Sequence, residues 1–311
     1  MLLALEACDI SKNFGDDLLL HRSMLKGTML LSHFKPAWIH KPQIDSPSLN
    51  IHYLGTAGFV LSGAQRHIVI DPFVSRPGLI ETGFFPLQSK AEQLQSVIPR
   101  ADDVLVGHAH HDHVLDAPLL CQQTGARLIG SSDVAQVARG FGLPEAQICA
   151  TAGHEDIECG SGRVRGIPSR HGRVYFNRVT LPGYMTKPPR WPPRVWSLRH
   201  GHVLNWFIEL SGIKVMHIDS ADFIPEECAG VEVDVLCLCA IGRKYRPNYV
   251  SEAVATFKPK WVIPCHWDWF FTPYGGKQLM LPGVDLPGMV AEIQKAGAEP
   301  AVLPIDGRWA V

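Results

Sequence analysis

Charge of either sign is in short supply: 29 Lys and Arg against 30 Asp and Glu leave a formal net charge of -1, and charged residues make up 19% of the 311. Such a balance excludes a tail-driven nucleic-acid binder and a disordered acidic protein, so any charge effect must be local. Long apolar runs are missing as well. Stretches such as "VLCLCAIG" and "HVLNWFIEL" stop well short of the ~20 residues that a membrane span requires, and no transmembrane helix is expected. The opening "MLLALEACDISKNFGDD" is apolar at first but carries no basic segment, and acids follow at once. That argues against a secretory signal, and a cytoplasmic location is expected. The eight cysteines contain no CxxC pair; their apolar, strand-like surroundings suit reduced, buried thiols.

What is present is enough apolar residue, 46% of the chain, to build a large core. Residues 1–47 show no sustained period and end in "KPAWIHKPQIDSPS", which reads as an N-terminal extension packing on, or swapping from, a single main domain over 48–311. From there "NIHYLG", "GFVLSG" and "HIVIDP" are short apolar runs bounded by Gly, Asn or Pro, as in strands joined by tight turns. Strands and helices then alternate. Helices are predicted over "SKAEQLQSVI" with Ser89 as cap, "DAPLLCQQTG" closing on Gly125, "SSDVAQVARGFG" with Ser132 as cap, "NYVSEAVATF" and "GMVAEIQKAG". Strands are predicted at "DDVLVGHAH", "ARLIG", "EDIECG", "GRVRGIP", "HVLNWFIEL", "GIKVMHIDS", "VDVLCLCA", "WVIPCH" and near "PAVLP".

The chemistry concentrates in "VGHAHHDHVLDA", at the end of one of these strands. Imidazole nitrogen and carboxylate oxygen suit zinc, manganese or iron when several converge on one point. His108, His110, Asp112 and His113 have the spacing HxHxDH. In an extended stretch residues 108, 110 and 112 share a side, and a turn beginning at Asp112 brings His113 round to them. Four ligands from one loop crowd a single ion, so the pattern suggests two neighbouring ions. His111 falls at the alternate position and should face away. Asp116 is expected to begin the next helix, capping it or orienting a ligand from behind.

HxHxDH at a strand end, after "YLGTAGFVL" and "IVIDPF", resembles the metallo-β-lactamase fold superfamily, and the remaining features follow in matching order from about residue 49 to the C-terminus. The resemblance implies an α/β (α+β) fold, a four-layer αββα sandwich of two mixed sheets with helices outside. It also implies two divalent metal ions, zinc in the first place, with manganese or iron as alternatives. On matching positions, His108, His110 and His171 in "VRGIPSRHG" resemble the ligands of one metal. Asp112, His113 and His266 in "KPKWVIPCHWD" resemble those of the other, and Asp219 in "GIKVMHIDSAD" would bridge them. Asp71 resembles the buried aspartate that steadies the metal loop. The family usually has Gly before the bridging aspartate where this chain has Ile218, which leaves Asp222 as an alternative. His154 and His217 read as structural, and His200 and His202 as either site-lining or turn residues. Within the superfamily the layout is most similar to the branch with ascorbate-6-phosphate lactonase and N-acylphosphatidylethanolamine phospholipase D.

The implied activity is hydrolysis by a hydroxide bridging the two ions, with Asp112 or Asp219 handling the proton, on an anionic or amphiphilic phosphodiester or ester. Alternatives are a lactonase or β-lactamase-like amide hydrolase and, in a different class, a mononuclear iron oxygenase or a non-hydrolytic metal-binding protein. From Arg163 to His202 the chain carries nine cations and no acid, with "LPGYMTKPPRWPPRVW" in the middle. One reading is a proline-stiffened, solvated loop. The other is a flap in which Tyr184, Arg190, Trp191, Arg194 and Trp196 meet an apolar, anionic substrate, small or lipid-like, with "RPGLIETGFFPL" as the opposite wall. No nucleic-acid partner is expected, and peripheral membrane contact and homo-oligomerisation stay open.

Overall fold

Strands that are apolar at every position need cover on both faces. The computed structural model, which describes residues 31–311, gives them that cover in two seven-stranded sheets. In the first, β1 (Asn50–Gly55), β2 (Gly58–Gly63) and β3 (Arg66–Ile70) form an antiparallel meander. Then β4 (Asp103–Val106), β5 (Arg127–Gly130) and β6 (Ile148–Ala150) add in parallel. The second follows the same plan: β7 (Asp156–Cys159), β8 (Gly162–Ser169), β9 (Val203–Leu210) and β10 (Ile213–Ile218) are antiparallel. After them β11 (Val235–Cys239), β12 (Trp261–Cys265) and β13 (Glu299–Pro300) run in parallel. Finally β14 (Arg308–Ala310) crosses back to pair with β1.

Period-two alternation divides each strand between two interiors. Ile68, Ile70, Leu105 and Ile129 point into the space between the sheets and pack with Trp206, Ile208 and Val215. Their neighbours Val69, Val104, Val106 and Leu128 point outward, beneath α2 (Ala91–Val97), α4 (Ala117–Thr124) and α5 (Ser132–Phe141). On the far side α6 (Tyr249–Phe257) and α7 (Leu286–Lys295) cover the second sheet through Val250, Phe257, Met289 and Ile293. Each such fully buried side chain contributes about 1.5–3 kcal/mol. The result is the expected four-layer αββα sandwich of two mixed sheets.

Several local expectations are corrected. The helix predicted to be capped by Ser89 starts at Ala91 with Lys90 in the cap position; Ser75 Oγ accepts from Lys90 N at 2.7 Å, while Ser89 Oγ donates to Leu115 O. Ser131, not Ser132, caps α5, because Ser131 is the extended residue whose oxygen accepts from Val134 N. The last predicted strand shrinks to Glu299–Pro300, since Val302 pairs instead with His40. Two short helices, α1 (Leu79–Phe84) and α3 (His111–Val114), were not expected, nor were β6 and β14. Of the expected extension, residues 31–47 lie against the C-terminal half: Phe34 stacks on Trp267 at 4.6 Å, and Trp309 Nε1 donates to Pro42 O. Residues 1–30, including Cys8, fall outside the described residues. The other seven cysteines are free and all but Cys149 are buried. Among the described residues no helix is long and apolar enough to cross a membrane.

Candidate metal centre

The strand β4 runs into an irregular segment, Gly107 to His110, and the chain turns helical at His111. Asp71, just after β3, fastens this turn at both ends. Its Oδ1 accepts from Gly107 N at 2.8 Å and its Oδ2 lies 2.8 Å from His113 Nδ1, which leaves His113 Nε2 free to face the centre. Asp71 holds a left-handed backbone, φ 43, a conformation that costs a non-glycine residue of the order of 1 kcal/mol or more and clusters at functional sites. His266, after β12, does the same with φ 54 and donates its N–H to Thr56 O at 2.5 Å.

Three strand ends bring the distant residues in. Asp219 follows β10, with Oδ2 2.6 Å from His108 Nδ1 and 3.8 Å from His113 Nδ1. His171 follows β8; its Nδ1 bonds Gly172 O at 2.8 Å, leaving Nε2 without a backbone partner. His266 Nε2 lies 3.4 Å from Asp112 Oδ2. Two glycines make the approach feasible. A Cβ on Gly107 would sit 2.1 Å from Asp219 Oδ2, and one on Gly172 would sit 2.8 Å from Ala221 N. The ligand-type atoms fall into three linked groups, each within 4.8 Å: His108, His110, His171; His108, His113, Asp219; and Asp112, His113, His266. All seven expected ligand positions thus meet in one place.

The electrostatics suit a cation. Burial and the neighbouring His108 push His171 down to about 3, and burial likewise holds His110 and His113 well below the usual imidazole range. Burial pushes Asp112 up, but His113 and His266 outweigh it and hold the carboxyl well below its ordinary value. Asp71 is raised by burial and by Asp219, whereas burial of Asp219 is outweighed by His108. Neutral imidazoles beside ionised carboxylates are the protonation states that bind metal.

Other candidates are placed differently from expectation. His111 enters none of the three groups, but it lines the same pocket, edge-on to Phe73 at 5.7 Å; helical geometry from residue 111, not an extended strand, sets its direction. Asp116 occupies the N-cap position of α4 without capping it. Its buried carboxylate accepts from Val74 N, Ser75 N and Ser75 Oγ at 2.6–2.8 Å, and so holds the loop after β3 that carries Asp71. Asp222 turns away and pairs with Arg246, so Ile218 does not displace Asp219 from the centre. His217 bonds Ala57 O inside the core, and His154 is exposed near Glu227.

Two cavities meet at His171. A pocket of ≈ 180 Å³ contains the histidine–aspartate cluster with Val174, Leu181, Ile241 and Phe270 on its other walls. A cleft of ≈ 740 Å³ is lined by Tyr184, His200, His202, Arg170 and Arg173. Of the five flap residues, Tyr184 alone lines either cavity. Trp191 packs edge-on against Phe141, the last residue of α5, and Arg194 lies over Trp196 and donates to Phe84 O. Arg190 is exposed elsewhere on the loop. The reason is local: Leu87 N donates to Pro193 O, and these contacts tie the Pro-rich tip to the 79–87 segment, away from His171. Arg76, expected in that exposed wall, is instead fully buried and lies 2.8 Å from Asp268 Oδ2. Asp268 Oδ1 also accepts from Thr56 N at 2.6 Å, so this ion pair fixes the loop bearing His266. Sequence reasoning missed it; the one available signal was a carboxylate two residues after His266.

Comparison with known proteins agrees with this architecture. The UPF0173 metal-dependent hydrolase of Symbiobacterium thermophilum is 28% identical over 267 residues, covering 82% of this chain and 96% of the relative. Among solved structures, Igni18, a metallo hydrolase from Ignicoccus hospitalis, superposes with a TM-score of 0.59 at 16% identity, covering 85% of this chain and 98% of the other. CmlA, a diiron β-hydroxylase from Streptomyces venezuelae, superposes with a TM-score of 0.54 at 14% identity, covering 86% of this chain and 55% of that one. The family model of the beta-lactamase superfamily domain matches residues 50–266, from β1 to His266, and the chain belongs to that family.

Proposed function

We propose that the protein is a metal-dependent hydrolase working with two divalent cations on a carboxylic ester or phosphodiester. The observation that carries this reading is the chain of three linked ligand groups, joined through His108 and His113. The donor set fits cations on independent grounds: His108 Nε2 and His110 Nδ1 converge to 3.0 Å inside the cluster, and Asp219 Oδ1 is buried without any hydrogen-bond partner among the described residues. Leaving such an oxygen unpaired costs about 1–3 kcal/mol, more if charged, which a bound cation would remove. His108, His110 and His171 would hold one ion, Asp112, His113 and His266 the other, with Asp219 between them. Nitrogen and oxygen donors of this kind suit zinc, and manganese or iron are compatible.

When bound, such cations supply a water acidified towards neutrality and positive charge opposite the developing negative charge. The remaining work belongs to the chain's own groups. Asp71 holds His113 in one tautomer, and Gly172 O does the same for His171. Asp112, kept ionised beside His266, or Asp219, with an uncommitted Oδ1, orients the nucleophilic water and passes its proton to the leaving group. Val174, Leu181 and Phe270 exclude bulk water from the pocket.

Replacing His110 or His266 by Ala should lower bound metal and turnover together, by more than the roughly 10–100-fold typical of losing a supporting group. Full metal content and turnover in both variants would contradict the assignment. The fold is also shared by a diiron β-hydroxylase; bound iron with oxygen uptake and no ester hydrolysis would favour oxidative chemistry instead.

A further inference from the structure

The cleft beyond His171 carries two arginines whose pairing differs from that of their neighbours on β8. Arg163 and Arg165, a few residues upstream, are each tied to carboxylates, Arg163 to Asp156 and Glu209 and Arg165 to Asp156. Arg170 and Arg173 line the cleft, and among the described residues no ion pair or hydrogen bond reaches either guanidinium. The one carboxylate on the lining, Asp222, is engaged by Arg246, with Arg170 acting on it only through space. The opposite wall is built rather than loose. Buried Asp133, in the first turn of α5, accepts from His202 N at 2.9 Å, lies 2.7 Å from His202 Nδ1 and accepts from Met185 N at 2.6 Å. Tyr184 lies against His202, with ring centroids 4.6 Å apart. His200 stands 5.5 Å from His171, its Nδ1 bonded to Gly201 O as that of His171 is to Gly172 O. Ser131 and Ser132, at the amino end of the ten-residue α5, complete the same lining, and Asp133 offsets the positive helix end there.

We propose that this cleft is the recognition subsite for an anionic group, a carboxylate or phosphate, carried by the substrate on the side of the scissile bond beyond His171. The proposal rests on the hydrolase reading above and deepens it. Two unpaired guanidinium forks on the lining offer charge-assisted donors to an anion, and the shared wall at His171 makes the cleft continuous with the cluster. The smaller, apolar-walled pocket then receives the compact side of the ester. The substrate class is an ester with a small apolar part and a larger anionic one.

The test uses metal-loaded protein and a matched pair, p-nitrophenyl butyrate and mono-p-nitrophenyl glutarate, together with titration of glutarate and of inorganic phosphate. The wild type should prefer the anionic ester by about tenfold or more in kcat/KM, as expected for charge-assisted contacts. In the double variant Arg170→Ala/Arg173→Ala that preference should fall to near unity with bound metal unchanged, while Arg178→Ala, a loop cation outside the cleft lining, should keep it. A preference that survives the double substitution, or no preference in the wild type, overturns the subsite and leaves the hydrolase standing. If neither ester is cleaved, the carboxylic-ester half of the hydrolase reading fails, and titration decides the subsite alone. Glutarate or phosphate binding weakened in the double variant supports it; binding that is absent, or equal in both proteins, overturns it. Tighter binding of one anion over the other identifies which group the cleft prefers.

Discussion

A single hydrogen atom at Gly107 sets how closely Asp219 can approach the motif loop. Gly107→Ala would place a methyl group 2.1 Å from Asp219 Oδ2, and the overpacking should cost about 1–3 kcal/mol. Since Asp219 must move, bound metal and turnover should fall more than the unfolding free energy; a variant that loads metal normally would show that Asp219 is not held there. His217 offers a pH test. Burial pushes it from 6.5 down to about 4, so the folded state holds it neutral where the unfolded chain binds a proton. Its contribution to stability is therefore present above 6.5 and lost as pH falls towards 4. His217→Leu should flatten the fall in urea midpoint over that window relative to wild type, and an unchanged slope would contradict the account. At this scale the four motif residues that meet in the cluster were legible because their spacing is local and their chemistry dense. Arg76 and Asp268 were not, because a carboxylate two residues after His266 does not by itself name a partner that only the fold brings within 2.8 Å. The flap residues Arg190, Trp191, Arg194 and Trp196 were given a substrate role on composition alone, and composition does not say which way a loop folds.

Among elements, the candidate centre is a convergence of strand ends. The loops after β3, β4, β8, β10 and β12 each deliver one or more of its residues, and what differs is how each loop is held. The loop after β12 depends on the buried Arg76–Asp268 pair. Asp268→Asn keeps an acceptor for Thr56 N but leaves Arg76 without a counter-charge at full burial. Breaking such a pair should cost about 3–5 kcal/mol, seen as a lower urea midpoint, with weaker metal binding because His266 loses its support; a change below 1 kcal/mol would show the pair to be dispensable. Most strands were readable from apolar runs bounded by turn residues. The short ones were not: Ile148–Ala150 and Arg308–Ala310 are three residues each, too brief for any period to register. The helix Leu79–Phe84 exposes Leu79, Ile80 and Phe84, so it carries no amphipathic stripe to detect. The one-turn helix at His111 is four residues, all buried, too brief for any helical period to register.

Across the whole molecule, two meander-plus-parallel halves face each other and the candidate centre lies where their strands end. The last strand ties the halves together, since β14 leaves the second half to pair with β1 through Asn50 to His52. Deleting 306–311 should therefore abolish cooperative unfolding, not merely fray an edge; a soluble variant with a wild-type midpoint would contradict that. The sandwich itself was legible through the family resemblance, whereas the separation of the histidine–aspartate pocket from the larger cleft depended on loop paths that no periodicity encodes. The central claim is that the linked groups form one two-cation hydrolytic site. It is tested most directly by titrating metal-free protein with zinc while following ester hydrolysis and bound zinc together. The account predicts full activity at two equivalents per chain, with His110→Ala and His266→Ala each falling short of that occupancy. Activity that is complete at one equivalent, or present with no metal bound, would contradict it.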